Sequence, residues 1–127
     1  MDLRIRVFCG EQGVSEEEET DELDAEATQI VAVDETGVVA TCRLRYPEAG
    51  TCKLERMVVE KRLRGLGVGG RLLAGAEDEA RSHGAGRMVL NAQRRAEAFY
   101  AANGYLAEGE TFVEAGIEHV RMTKALQ

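Results

Sequence analysis

Four glycines fall within six positions of the run Arg62-Leu63-Arg64-Gly65-Leu66-Gly67-Val68-Gly69-Gly70, and no other feature limits the fold of this chain as strongly. Residues without a Cβ weaken helix and strand interiors alike, so such a cluster marks a turn that brings backbone close to something else. The pattern before it is strand-like. Gln29–Val33 is a short β-branched run ending in the turn signal Asp34-Glu35-Thr36-Gly37, and Val38–Tyr46 alternates around Cys42 and Leu44. Pro47-Glu48-Ala49-Gly50 then leads into a third strand, Thr51–Val59. Turns this short join antiparallel neighbours, because parallel strands need a long crossover. After the glycines the period changes: Arg71–Arg81 carries Leu72, Ala76 and Ala80 on one helical face and ends at His83-Gly84 and Gly86. A buried strand at Arg87–Ala92, a helix at Arg94–Ala102 capped by Asn103-Gly104, and short strands at Tyr105–Ala107 and Glu118–Thr123 follow. This order predicts a mixed α/β (α+β) fold with the glycine run as a strand-to-helix turn.

The N-terminus is ambiguous on pattern alone. Leu3, Ile5 and Val7 alternate with Arg4 and Arg6 as a strand would, while Leu3 and Val7 also fit one face of a short helix.

Composition bounds the rest. A length of 127 residues predicts one domain spanning 1–127, and 44% apolar with 31% charged residues is enough for a core and argues against a disordered chain. No apolar run approaches the roughly 20 residues of a membrane span, and no signal-peptide pattern opens the chain, so the expectation is a cytoplasmic protein without a membrane partner. Cys9, Cys42 and Cys52 are odd in number and lack metal-ligand spacing, which fits a reducing compartment, buried thiols and no metal site. A thiol nucleophile paired with His83 or His119 is the weaker reading.

The formal net charge of -7 disfavours nucleic acid as a partner. That charge is uneven. Glu11–Glu26 holds nine acids and no base, whereas Lys53–Arg71 holds six bases against Glu55 and Glu60. A solvated surface is the plain reading of the acidic run, and attraction of a cation is the functional one.

The glycine run can hold an anion. Its N–H groups can converge at the start of the following helix, where the macrodipole favours negative charge, and Arg62 and Arg64 add charged donors for phosphate. No Gly-Lys-Ser/Thr follows, which excludes a P-loop. Gly65-x-Gly67-x-x-Gly70 matches the dinucleotide fingerprint, but a meander precedes it, and the strand ending Leu90-Asn91-Ala92-Gln93 lacks the acid for a ribose hydroxyl.

Val59-x-x-x-x-Arg64-Gly65-x-Gly67-x-Gly69-x-x-Leu72-Leu73 resembles the acetyl-CoA motif of the GNAT superfamily of N-acetyltransferases, in registers starting from Arg62 or Arg64. Ala96-x-x-Phe99-Tyr100-x-x-x-Gly104-Tyr105 resembles the second cofactor segment of that family. Val7-Phe8-x-x-Glu11-Gln12, Asp21-Glu22-Leu23-Asp24, Leu54-Glu55-Arg56, Leu90-Asn91-Ala92-Gln93 and Gly116-Ile117-x-His119-x-x-Met122 are similar to its small bacterial YjcF/ElaA-like branch. The resemblance implies a central, mostly antiparallel sheet splayed at the acetyl-CoA site and flanked by about four helices. It also implies that Leu3–Gly10 is helix and that the family's first strand is missing.

On the same resemblance, acetyl-CoA is the co-substrate, with its pyrophosphate on the amides of Arg64, Gly65, Leu66, Gly67, Val68 and Gly69 beside Arg62 and Gly70. Its pantetheine arm pairs with the backbone of Met57, Val58 and Val59, and Asn91, Gln93 and Tyr100 complete the cofactor side. Many members carry Asn where Gln93 stands, which leaves that contact open. The reaction implied is direct transfer of an acetyl group to a primary amine, of a small molecule or a peptide. Tyr100 is the candidate acid and the Met57–Val59 amides the candidate oxyanion donors. The base is open between Glu55 and His119, with Glu11 behind them; among side chains, imidazole has the pKa closest to neutral. Glu11 and Gln12 are candidate acceptor contacts, and the acidic run favours a cationic acceptor such as a polyamine, an aminoglycoside, a lysine or an N-terminal amine. A non-catalytic acyl-CoA sensor or partner-binding domain on the same fold stays open, as does a homodimer.

Overall fold

The computed structural model describes residues 2–8 and 27–127. Its strands are β1 (Arg4–Phe8), β2 (Thr28–Asp34), β3 (Gly37–Glu48), β4 (Thr51–Val59), β5 (Arg87–Gln93), β6 (Leu106–Glu114) and β7 (Ile117–Ala125). Two α-helices interrupt them, α1 (Val68–Ser82) and α2 (Glu97–Ala102). The strands form one sheet in the order β1-β2-β3-β4-β5-β7-β6, and every pairing is antiparallel except β4 with β5.

Short turns build the meander. The Asp34 carboxylate accepts the Thr36 N–H at 2.7 Å, an Asx turn that reverses the chain into β3. The longer link from β4 to its parallel neighbour β5 runs through the glycine turn and α1, the crossover that a parallel pair requires. The α1 helix buries Val68, Leu72, Leu73, Ala76 and Ala80 against the sheet, where Ile30, Leu44, Met88, Leu90 and Met122 are fully enclosed. Each of these Val, Leu, Ile and Met side chains contributes about 1.5–3 kcal/mol by leaving water.

Two irregularities shape the centre of the sheet. The parallel ladder holds only at Thr51↔Arg87, Cys52↔Met88 and Lys53↔Val89; beyond these pairs the strands part, leaving 54–59 of β4 and 90–93 of β5 unpaired with each other. On the other side of β4, Thr41 pairs with Val58 but Arg43 with Glu55, so β4 carries an extra residue there. Arg56 takes up the resulting bulge with φ 52, in the left-handed region.

The N-terminal expectation drawn from the family is corrected. Arg4–Phe8 is not helix; it is an edge strand antiparallel to β2, so a strand does precede β2. The alternation of Leu3 and Ile5 with arginines prevails because α1 offers these side chains a place to pack. Arg71 Nη2 donates to Leu3 O at 2.9 Å, and Leu3 is buried. Gly75 of α1 makes room for the strand: a Cβ there would lie 2.6 Å from Ile5 Cγ2. Gly75→Val is therefore expected to destabilise the fold by about 1–3 kcal/mol through overpacking. Ile5→Ala in the same chain should recover part of that loss, which urea unfolding of the four members of a double-mutant cycle reads out.

Among the described residues there are two α-helices rather than about four. The expected helix at Arg94–Ala102 is split into a 3-10 turn, Arg94–Ala96, and the short α2. The helix expected from Arg71 begins earlier, at Val68, so Gly69 and Gly70 lie in its first turn. No helix among the described residues is long and apolar enough to cross a membrane, and no group of three or more His, Cys, Asp or Glu there could hold a metal ion.

Candidate active site

Where β4 and β5 part, they open a cavity of about 500 Å³. Leu54–Met57 of β4 form one wall and Leu90–Gln93 of β5 the other, with Ala96 and Tyr100 at the α2 side and His119 and Glu114 from the β6–β7 hairpin. The bulge at Arg56 interrupts the β3–β4 ladder beside this cavity, where backbone N–H groups can be turned toward a ligand.

The glycine turn stands next to this opening. Gly65 and Gly67 have φ 83 and 85, and a Cβ on either would meet nothing within 4 Å, so conformation rather than contact requires glycine. Gly67 is the N-cap of α1 and supplies no side-chain cap, and no acid lies in the first turn. Arg71 N is the amide that first bonds back into the helix, to Gly67 O at 3.1 Å. The N–H groups of Val68, Gly69 and Gly70 thus precede the helical ladder at the positive end of a 15-residue helix. Two amides expected on the anion are engaged within the turn, Arg64 with Lys61 O at 3.2 Å and Leu66 with Leu63 O at 3.3 Å. The anion-binding potential therefore lies further along, at 67–70.

The arginines divide. Arg62 is held by Glu60 at 2.7 Å and by Thr36 Oγ1 at 2.8 Å, with Asp34 3.7 Å away, so its charge is already matched. Arg64 donates Nε to Val59 O at 3.1 Å, which fixes its guanidinium at the end of β4.

Met57 joins the turn to Tyr100. A Cβ on Gly69 would lie 3.2 Å from Phe99 Cζ and 3.4 Å from Met57 Cε, so glycine lets the helix start settle onto both side chains. The Tyr100 hydroxyl donates to Met57 Sδ at 3.4 Å. Its ring packs edge-on against Phe99 and Tyr105, with centroids 5.0 and 5.8 Å away. Burial, with a smaller effect of Cys42, pushes the phenol up to about 12, so it stays protonated through the neutral range.

Glu55 sits among cations. Arg43 donates to Oε1 through Nε at 3.1 Å and Nη2 at 2.9 Å, Arg45 donates through Nε at 2.7 Å and Nη2 at 2.6 Å, and Lys53 Nζ lies 3.6 Å away. Burial alone would raise this carboxyl, but hydrogen bonds and charge from Arg45 and Arg43 outweigh it and bring the pKa down to about 2. A carboxylate this weakly basic is a poor proton acceptor at neutral pH. It stabilises the fold fully above the ordinary value of 4.5, and that contribution disappears as pH falls through about 2. Urea titrations between pH 2 and 7 should show this acid-dependent loss in the wild type. In Glu55→Gln the dependence should be shallower and the neutral-pH stability lower, because the arginines lose their anion.

His119 is buried on β7 opposite Gln93 of β5. Its Nδ1 lies 2.7 Å from Ile117 O, and a carbonyl only accepts, so Nδ1 carries the proton. Its Nε2 lies 3.8 Å from Glu114 Oε2, and the ring stacks on Phe112 with centroids 5.8 Å apart.

The described site thus brings together Glu55, Met57, Asn91, Gln93, Tyr100 and His119, with Val58 and Val59 continuing β4 toward the glycine turn. Glu11, Gln12, Cys9 and the acidic run to Glu26 lie outside the described residues. For the two described cysteines a thiol mechanism gains no support: burial pushes Cys42 and Cys52 up to about 12, and His83 pairs with Glu79 at 2.8 Å on α1 and its C-cap. Sequence reasoning missed Arg43, Lys53, Arg95 and Glu114 in the wall. Arg43 and Arg45 flank Leu44 in the alternating stretch, so both point to one side of the strand paired with Glu55, a signal that was available. It also missed the buried Glu77, which accepts from Tyr105 at 2.8 Å and Lys124 at 3.0 Å and so ties α1 to β7.

Residues 2–126 match the family model described as "Acetyltransferase (GNAT) domain". The Bacillus subtilis (strain 168) protein described as "Uncharacterized N-acetyltransferase YjcF" is 44% identical over 124 residues, covering 96% of this chain and 87% of that one. Escherichia coli ElaA superposes with a TM-score of 0.79 at 18% identity, over 97% of this chain and 99% of the other. A GNAT family acetyltransferase from Elizabethkingia anophelis with acetyl-CoA bound superposes with a TM-score of 0.76 at 13% identity, over 98% of each chain. At these identities the two superpositions establish the fold alone, while the family match and the YjcF relationship establish kinship. A parallel strand pair that parts beside a glycine turn is the architecture in which that kinship is expressed here, and the chain belongs to the GNAT family of acetyltransferases.

Proposed function

We propose that the chain, acting as one domain, transfers an acetyl group from acetyl-CoA to a primary amine in the opening between β4 and β5. The observation that carries this reading is the continuity of the uncapped start of α1, the Met57 side chain and the Tyr100 hydroxyl along one edge of that opening. The N–H groups at 67–70, with Arg64, fit a pyrophosphate. The β4 backbone at Met57, Val58 and Val59, which β5 leaves unpaired, fits an amide-bearing pantetheine arm by strand addition. The Elizabethkingia structure holds acetyl-CoA on the same fold, which supports the choice of ligand.

In the reaction the amine nitrogen bonds to the thioester carbonyl carbon and the C–S bond breaks. The amine gives up a proton, and the departing sulfur gains one. His119 Nε2 is the proton acceptor in this reading, because His119 lines the cavity with its Nδ1 engaged by Ile117 O, while Glu55 is held ionised by arginines. Tyr100 faces the sulfur as donor, and the amides of Met57–Val59 face the carbonyl oxygen.

The test is release of CoA thiol matched by an equal amount of acetylated amine across a panel of primary amines. Acetyl-CoA binding by thermal shift without release on any amine would identify a sensor instead. In the pH profile of kcat/KM, His119→Ala should lose the limb that rises toward alkaline pH, and Glu55→Gln should keep it. The opposite pattern would make Glu55 the base.

A further inference from the structure

The buried carboxylate of Glu77 has no place in the chemistry above, yet each of its partners touches what holds Tyr100. On one side it accepts from the Tyr105 hydroxyl at 2.8 Å, and the Tyr105 ring packs edge-on against the Tyr100 ring with centroids 5.8 Å apart. On the other it accepts from Lys124 Nζ at 3.0 and 3.2 Å, and the same ammonium donates to Asn103 O at 3.0 Å. Asn103 is the C-cap of α2, the six-residue helix that carries Tyr100, and its own side chain closes back on Phe99 O at 2.8 Å. A helix this short does not hold its place by itself, and a cation on its last carbonyl is favourably set against the helix dipole. The fit is close. A Cβ on Gly104 would lie 3.2 Å from Lys124 Cε, and one on Gly70, in the first turn of α1, 3.7 Å from Asn103 Oδ1. Glu77, Asn103, Tyr105 and Lys124 are not among the described residues that line the cavity, so none of the four is placed to touch a reactant.

We infer that Glu77 and Lys124 are positioning residues for Tyr100: their ion pair locks the end of α2 to α1, and so fixes the Tyr100 hydroxyl relative to the glycine turn from which α1 starts. The inference rests on the acetyltransferase reading above and adds to it two residues that act through Tyr100. The α1 helix presents the amides assigned to the pyrophosphate, and α2 presents the donor assigned to the thioester sulfur. The spacing of the two helices therefore decides whether that donor meets that sulfur. Taking both charges out of water offsets much of their attraction, so the pair is a weak source of net stability. Its directional bonds, which join α1, the end of α2 and β7, are what an apolar pair of the same size would lack. Small displacements of a reacting group are costly, about 100-fold in rate for a shift of about 1 Å.

Lys124→Met alone would strand the buried carboxylate, so the test pairs it with Glu77→Gln, which still accepts from Tyr105 and leaves no unpaired charge. CoA thiol release is measured on the full chain with saturating acetyl-CoA and a primary amine that the wild type turns over, well below the Tm of each variant. The paired variant should lower kcat about 10-fold, while acetyl-CoA affinity and the KM for the amine stay within about 2-fold of wild type. In the Tyr100→Phe background the same two substitutions should change kcat by less than about 2-fold, because the group they position is gone. Lys124→Gln, a milder change that keeps an N–H donor near Asn103 O, should show the same dependence on Tyr100 with a smaller loss. An equal loss in both backgrounds overturns the inference, since the pair then acts on something other than Tyr100. Unchanged kcat in the folded variants with a lowered Tm also overturns it and makes the pair a packing feature. A fall in acetyl-CoA affinity equal to the fall in kcat/KM overturns it by placing the effect at the glycine turn. Undiminished kcat in Tyr100→Phe alone overturns the role given to Tyr100 and this inference with it, and leaves acetyl transfer standing. Release of no thiol with any amine overturns both readings.

Discussion

Replacing Tyr100 by phenylalanine should lower kcat about 100-fold while the acetyl-CoA dissociation constant and the Tm stay close to wild type. The separation follows from where the hydroxyl sits. It donates to Met57 Sδ at 3.4 Å, and sulfur is a weak acceptor, so the fold loses little when the hydroxyl goes. The ring contacts to Phe99 and Tyr105 survive in phenylalanine. What disappears is a donor that burial holds protonated up to about 12, beside the β4 edge where the thioester sulfur would depart. A free thiol is a stronger acid than this phenol, with an ordinary pKa of about 8.5. In the proposed reaction Tyr100 would therefore act chiefly by hydrogen bonding to the developing thiolate. Stopped-flow thiol release combined with equilibrium binding reads the two quantities apart. Undiminished kcat would remove Tyr100 from the chemistry, and equal loss of binding and turnover would make it a packing residue.

Gly67→Val should weaken acetyl-CoA binding about 100-fold, the largest expected effect on affinity, by costing about 1–3 kcal/mol of backbone strain at the point that aims the amides. Gly67 caps α1 with φ 85, a conformation in which a β-branched residue is strained, and the turn must relax to admit it. Open space surrounds the position, so steric collision in the unliganded protein is not the cause. Gly109 provides the control, because it has φ 80 and equally open space but lies on β6, outside the cavity wall. Gly109→Val should therefore destabilise to a similar degree and leave acetyl-CoA affinity near wild type. Isothermal titration of both variants decides the matter: equal affinities would mean that the glycine turn does not hold the co-substrate.

The sequence was most readable where one face of an element is buried and the other exposed. Thr51–Val59 is β4 to the residue, and Val38–Tyr46 lies within β3, because both runs supply buried apolar residues (Val39, Cys42, Leu44, Cys52 and Leu54) and are bounded by turn residues. The β6–β7 hairpin was read as two short fragments, since β6 is exposed along almost its whole length and shows no alternation. Its exposed Leu106 and Val113 do not face a core. Val68 belongs to α1 although three glycines lie at or near the helix start, because tertiary contact of Gly69 with Phe99 and Met57 overrides the low helix propensity of glycine. At the N-terminus the alternation of Leu3 and Ile5 was the better guide, and the family pattern was not. Within the candidate site the residue types are legible, but the sequence does not show that Arg43 and Arg45 hold the Glu55 carboxylate. Likewise the tautomer of His119 depends on Ile117 O, a backbone atom that no sequence pattern marks. The Arg56 bulge was equally hidden, because an ordinary arginine adopts φ 52 only where the ladder has already slipped.

Amide hydrogen exchange of the full chain with and without acetyl-CoA tests the account most directly, because the co-substrate is assigned to backbone amides. Binding should slow exchange at Gly67–Gly70 and at Met57–Val59 and leave the β6–β7 hairpin tip around Gly116 unchanged. Protection confined to other segments, with 67–70 and 57–59 exchanging as in the unliganded protein, would contradict it.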